Sequence, residues 1–134
     1  MIVVENIINA PLEMVWECWT NPEHITKWYF ASDDWHAPYA ENNLTIAGKF
    51  KTTMSAKDGS YSFDLEGVYS NIRDFEEIEY ELIDGRKVFI LFSKSNDGTK
   101  VVESFQPETT NPKEIQKAGW QAILNNFKKH VESL

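Results

Sequence analysis

The sequence predicts an α+β domain in which a curved antiparallel β-sheet wraps around a long C-terminal α-helix, with two short helices after the first strand. Three observations predict it. Apolar residues recur at helical spacing from Leu12 to Tyr29 and again from Ile115 to Leu134, but alternate with a period of two in between. The alternating runs are separated by Asp58-Gly59, Asp84-Gly85 and Asn96-Asp97-Gly98, which is the chemistry of tight turns, so successive strands pair as antiparallel neighbours. The closing helical stretch is apolar over more than one narrow stripe and needs a wide surface to lie on, which the sheet supplies. The chain of 134 residues fits one domain, residues 1–134.

Ile2 to Ile8 is short and rich in Val and Ile, and reads as the first strand. Asn9-Ala10-Pro11 then offers a cap and a first-turn proline, and Leu12, Val15, Trp16 and Trp19 follow at i, i+3, i+4 and i+7. Thr20-Asn21-Pro22-Glu23 ends this helix and starts another, because the residue before proline avoids the helical region while Asn caps and Pro suits the first helical position. Ile25, Trp28 and Tyr29 form its apolar side. Phe30 to Asn43 holds Asp33, Asp34, His36, Pro38 and two adjacent Asn, and reads as a loop carrying Trp35 and Tyr39.

From Leu44 the period is two. Leu44, Ile46, Phe50 and Met54 share one face of a strand, with Thr45, Lys49, Lys51 and Thr53 on the wet face. Tyr61, Phe63, Leu65, Gly67 and Tyr69 alternate with Ser62, Asp64, Glu66 and Ser70, and Gly67 marks a bulge or bend. Ile78, Tyr80 and Leu82 alternate with Glu77, Glu79 and Glu81, and Val88–Ser93 and Val101–Gln106 complete a meander of about five strands. Asn111-Pro112 supplies a cap and a first-position proline for a final helix of about twenty-two residues, roughly 33 Å long. Its stripe is Ile115, Gly119, Ala122, Ile123, Phe127, Val131 and Leu134, broadened by Trp120 and Leu124. A helical glycine costs about 1 kcal/mol relative to Ala, so Gly119 indicates a close backbone approach or space kept for something else.

With 42% hydrophobic and 25% charged residues, disordered, fibrous and collagen-like chains are excluded. A net charge of −8 excludes nucleic acid as the expected partner. No apolar run is long enough for membrane insertion, and the N-terminus lacks a signal pattern, so a cytoplasmic location is expected. The one cysteine, Cys18, lies at helical periodicity and reads as a small core hydrophobe. His24, His36 and His130 are too scattered in sequence for a zinc motif. No metal, cofactor fingerprint or nucleophile elbow is present, and Asp33, Asp34 and His36 read as a solvated loop. The acidic run Glu76, Glu77, Glu79 and Glu81 reads as the wet face of a strand.

The stretch Ala10-Pro11 through Val15-Trp16, with Trp19-Thr20, Asn21-Pro22-Glu23-His24 and Trp28, resembles the opening signature of the activator-of-heat-shock-ATPase homologue family. That family lies in the superfamily named for START, polyketide cyclase and birch-pollen-allergen proteins. Gly48 with Phe50, Asp58-Gly59, Gly67-Val68 and the closing Gly119-Trp120 with Leu124 and Phe127 resemble its later landmarks, nearly end to end. The resemblance implies a helix-grip (START-like) fold enclosing a mostly apolar cavity. It also implies diverse functions: lipid, sterol or hormone binding, polyketide cyclisation, antibiotic resistance, or stimulation of a heat-shock ATPase. The co-chaperones of that last kind carry an additional N-terminal domain that these 134 residues lack.

Thirteen per cent of the chain is aromatic, with five Trp, five Tyr and eight Phe. Strand parity and helix phase aim Phe50, Met54, Tyr61, Phe63, Tyr69, Phe92 and Trp120 between the sheet and the last helix, joined by Leu124, and place Trp28 and Trp35 at the rim. A packed core accounts for most such residues, yet ligand sites are apolar cavities with a few polar tips, and the hydroxyls of Tyr61 and Tyr69 require partners. The expected function is binding of a small apolar or aromatic molecule. Two alternatives remain: a cyclase- or hydrolase-type enzyme using Tyr69 or His36 as acid or base, and an interaction module with a chaperone partner. An exposed sheet edge leaves a homodimer open.

Overall fold

A computed structural model describes residues 1–134. In chain order the elements are β1 (Ile2–Ile8), α1 (Leu12–Thr20), α2 (Pro22–Trp28), β2 (Trp35–Asn42), β3 (Lys49–Ala56), β4 (Ser62–Arg73), β5 (Glu77–Leu82), β6 (Lys87–Ser95), β7 (Gly98–Phe105) and α3 (Lys113–Glu132). The strands form one antiparallel seven-stranded sheet in the order β1-β7-β6-β5-β4-β3-β2. It curls around α3, as the helix-grip architecture requires. No helix is long and apolar enough to cross a membrane.

The meander has six strands rather than five, because the stretch read as a loop contains β2. This strand pairs with β3 from Trp35↔Ala56 to Asn42↔Phe50, with a register shift between His36 and Tyr39. Pro38 falls inside the shift, where a residue without an N–H is tolerated. An edge strand has only one neighbour and one half-buried face, so its apolar alternation is too weak to read from sequence. Leu44 and Ile46 are not in a strand: the chain turns between residues 43 and 48, with Ala47 at φ 67° and Ile46 exposed. The bend in β4 lies between Tyr69 and Asn71, not at Gly67. Gly67 instead admits a ring, since a Cβ there would lie 2.6 Å from Cε2 of Phe50 and 2.9 Å from the Glu81 carbonyl oxygen.

Both sheet edges are blunted. On β1, the carbonyls of Glu5 and Ile7 accept from the Gln121 amide and the Lys128 ammonium of α3, and on β2 the proline and the register shift interrupt the donor row. Asn21 caps α2 as expected, its side chain accepting from the Glu23 N–H at 2.9 Å. Neither Asn9 nor Asn111 caps by side chain: Pro11 and Pro112 occupy the N-cap positions. The start of α3 is held instead by Gln116, whose amide donates to the carbonyls of Glu108 and Asn111 and whose carbonyl accepts from the Glu108 N–H.

The core lies between the concave face of the sheet and the three helices. Val4, Ile8, Ile78, Val88, Ile90, Val101 and Phe105 meet Val15, Trp28, Leu124, Phe127 and Val131, all essentially inaccessible to solvent. Trp19, partly buried, packs against it with ring centroids 4.9 Å from both Trp28 and Phe127. The fully buried residues of α3 lie in its C-terminal half, and Trp120 packs on the edge of the core. Towards its start, Ile115 is 61% exposed and Gly119 has no atom within 4 Å of where a Cβ would stand, so the apolar stripe leaves the core and borders open space.

Candidate functional site

That open space is a cavity of about 310 Å³ between α3, the end of α2 and the concave sheet. Strand alternation aims Met54 of β3, Phe63 and Leu65 of β4 and Glu103 of β7 into it. From the helical side come Trp19, Trp28, Tyr29, Ile115, Gly119, Trp120 and Ile123, with Arg86, Glu108, Asn111 and Gln116 around the opening. Trp120 is fixed against the sheet by a parallel stack on Phe105, with centroids 3.9 Å apart and rings 9° from coplanar. Trp28 is anchored by its indole N–H, which donates to the Cys18 carbonyl at 2.9 Å. The aromatic walls are therefore held from behind.

Glu103 sets the chemistry of this cavity. It is 4% exposed, and burial alone pushes its carboxyl up to about 8, with no cation or hydrogen bond offsetting the cost of charge. The group is thus largely a neutral acid at pH 7, able to donate one hydrogen bond and accept others. Arg86, the one cation at the opening, is turned to Asp84, its Nε 2.8 Å from a carboxylate oxygen. Tyr29 and Tyr80 lie in the same buried group, their phenols pushed up by desolvation and by the proximity of Glu103. The arrangement suits a small, mostly apolar molecule carrying one polar group that meets the carboxylic acid.

Of the residues expected from sequence, the structure brings Trp28, Met54, Phe63 and Trp120 to this cavity. Trp28, 1% exposed, is a wall and not a rim. Phe50 and Tyr69 border a separate void of about 30 Å³, room for about one water. The Tyr69 hydroxyl already donates to Asn42 Oδ1 at 2.5 Å, so it needs no ligand. Phe92 packs against Trp16 and Trp19, and Leu124 is fully buried core. Trp35 and Tyr61 form an outer cluster with Phe63, centroids about 6 Å apart, and Tyr61 is more than half exposed. His36 is exposed on β2, away from the cavity lining.

Sequence reasoning missed Glu103, Trp19, Tyr29 and Gln116. For Glu103 the signal was present: Val101 and Phe105 flank it at spacing two on a strand, and both are fully buried, so parity alone places the carboxyl inside. The histidines are also closer than their spacing suggests, because His24 Nδ1 and His130 Nε2 are 3.0 Å apart. A larger indentation of about 800 Å³ near Asn9, Asp97 and Lys128 has only two hydrophobic residues in its lining and offers no comparable chemistry.

The family model described as Activator of Hsp90 ATPase homolog 1-like protein matches residues 9–132. The solution structure of an AHSA1-like protein from Aeromonas hydrophila is 39% identical and superposes with a TM-score of 0.93, over 98% of this chain and 92% of that one. A protein from Cytophaga hutchinsonii, also solved in solution, is 53% identical with a TM-score of 0.84, over 98% and 92%. A crystal structure from Chromobacterium violaceum, at 20% identity and TM-score 0.87 over 98% and 96% of the two chains, shares the fold. No curated protein matches the sequence.

Proposed function

The chain belongs to the Activator of Hsp90 ATPase homolog 1-like family, and we propose that it acts as a carrier or sensor holding a small apolar or aromatic molecule between the sheet and α3. The supporting observation is the unpaired acid Glu103 at the wall of an aromatic cavity of about 310 Å³, at the lower end of the volumes that bind organic ligands. Burying about 200 Å² of apolar ligand surface supplies on the order of 5 kcal/mol, a dissociation constant near 0.2 mM before any hydrogen bond to Glu103. Gly119 supports the same reading, because a residue that weakens a helix stands where a side chain would fill the cavity. A free cysteine and the acidic surface support a cytoplasmic setting.

Native mass spectrometry of gently purified protein tests the reading first, with naphthol, a bicyclic phenol, as the added probe. The expected result is a one-to-one adduct that Gly119→Leu weakens at least tenfold while the melting temperature stays level or rises. An adduct of equal affinity in that variant removes the cavity from the reading.

Glu103 also favours a second reading, an enzyme with a general acid or base at this position, since a carboxyl near 8 is matched to proton transfer at neutral pH. Turnover of a bound molecule with a pH profile that Glu103→Gln abolishes is its expected sign. Tyr69 and His36 have no part in it.

A further inference from the structure

Away from that cavity, the three helices bring together a set of side chains for which the ligand-binding reading has no use. Cys18 of α1, His24 of α2 and His130 of α3 each present one donor atom, and the three atoms lie within 4.8 Å of one another. Cys18 is buried behind, while His24 and His130 are half-buried in front. The positions are well determined by the fold. The α1–α2 break at Asn21, capped by its own side chain, turns His24 back towards Cys18. The Trp28 indole holds the Cys18 carbonyl, and the Asn126 amide donates to the Trp28 carbonyl, tying α3 to α2.

We propose that Cys18 Sγ, His24 Nδ1 and His130 Nε2 form a three-ligand site for a zinc-class divalent cation, with a fourth position open to water on the histidine side. Two imidazoles and a thiolate are a borderline-soft donor set that suits zinc. Tetrahedral zinc with bonds of about 2.0 Å to nitrogen and about 2.3 Å to sulfur needs donors separated by about 3.3 to 3.6 Å. The histidine nitrogens, now 3.0 Å apart, need to open by only a few tenths of an ångström, and the sulfur, within 4.8 Å of them, to approach by about 1.3 Å at most. In the metal-free protein the two nitrogens share one N–H, since two protonated nitrogens cannot stand at that distance. The ion takes the place of this shared proton, which moves to an outward ring nitrogen, and the thiol proton passes to solvent as the Zn–S bond forms. Glu17 acts on Cys18 and Lys27 on His130 through their charges, one of each sign, so the immediate surroundings leave the sum to the ligands. The site joins three helices and would act as a clamp on the helical layer.

The test uses the full chain, reduced with a non-thiol phosphine and stripped by chelator, then titrated with Zn²⁺ in competition with a chromophoric chelator and with Co²⁺ as a spectroscopic probe. The expected result is one Zn²⁺ per chain, a rise in melting temperature on binding, and a Co²⁺ spectrum with a thiolate charge-transfer band and tetrahedral visible bands. His130→Gln is the deciding variant, because its side chain is half-buried and its loss opens no core cavity. It should weaken Zn²⁺ at least about tenfold and remove the metal-dependent rise in melting temperature. Cys18→Ser should remove the charge-transfer band. Absence of uptake, equal affinity in His130→Gln and wild type, or a wild-type Co²⁺ spectrum without the thiolate band each overturns the proposal.

Discussion

Glu103 occupies a position on β7 where Thr99, Val101 and Phe105 on the same face are fully buried, and its consequence for stability has a definite sign. Its carboxyl rises from an ordinary value of 4.5 to about 8 on folding, so between these limits the native state holds a proton that the unfolded chain releases. Stability from this group is therefore full below pH 4.5 and is lost as pH rises through 8, by on the order of 5 kcal/mol in total. Glu103→Gln keeps the shape, removes the titration and should flatten the fall in stability between pH 4.5 and 8, leaving the variant more stable than wild type above pH 8. Urea unfolding at a series of pH values measures this, and parallel curves for the two proteins would assign the pH dependence to other groups. A ligand donating to the carboxylate would shift the same profile, so the measurement also reports on occupancy of the cavity.

At the scale of elements, two glycines show how the same residue type supports opposite ends. Gly67 on β4 lies beneath the Phe50 ring of β3, which also packs edge-on against Tyr80 of β5 with centroids 4.7 Å apart. A methyl group at Gly67 meets the ring and the Glu81 carbonyl oxygen inside van der Waals contact, and relieving it pulls Phe50 away from its neighbours across three strands. Gly67→Ala should cost about 1–3 kcal/mol, as overpacking generally does. Gly119 on α3 has nothing near its missing Cβ, so Gly119→Ala should stabilise by about 1 kcal/mol through helix propensity. Thermal melts of the two variants side by side check the contrast. A near-zero change for Gly67→Ala would show that the sheet relaxes around the added methyl, and a loss of stability for Gly119→Ala would mean that α3 is strained there. Neither sign is readable from sequence, where both are isolated glycines in periodic runs.

For the whole molecule, what the sequence makes legible follows from how strongly each feature is patterned. The turn dipeptides, the alternation of Ile78, Tyr80 and Leu82 and the unbroken stretch after Pro112 are strong local signals, and the sheet and α3 follow from them. The strand β2 was hidden because Pro38 and the polar residues around it satisfy an edge with one partner. The cavity was half legible: Met54, Phe63 and Trp120 follow from parity, but Tyr69 was already satisfied by Asn42, a contact across 27 residues that no local pattern carries. The same limit hid His24 and His130, which are 106 positions apart. These long-range contacts divide α3 into two regions of different stability. Its C-terminal half, with Leu124 and Phe127 fully buried, is held by the core, while its first two turns face the cavity with Ile115 exposed and Gly119 unpacked. Local opening follows packing, so amides of Gln116 to Trp120 should exchange with deuterium at least tenfold faster than those of Leu124 to Val131 in the ligand-free protein. Saturating naphthol, if it fills the cavity, supplies the missing contacts and should slow the first group while leaving the second unchanged. Uniform protection along α3 without naphthol would show that the helix opens as one unit, and slowing of both groups together would show that the probe stabilises the fold without occupying this cavity.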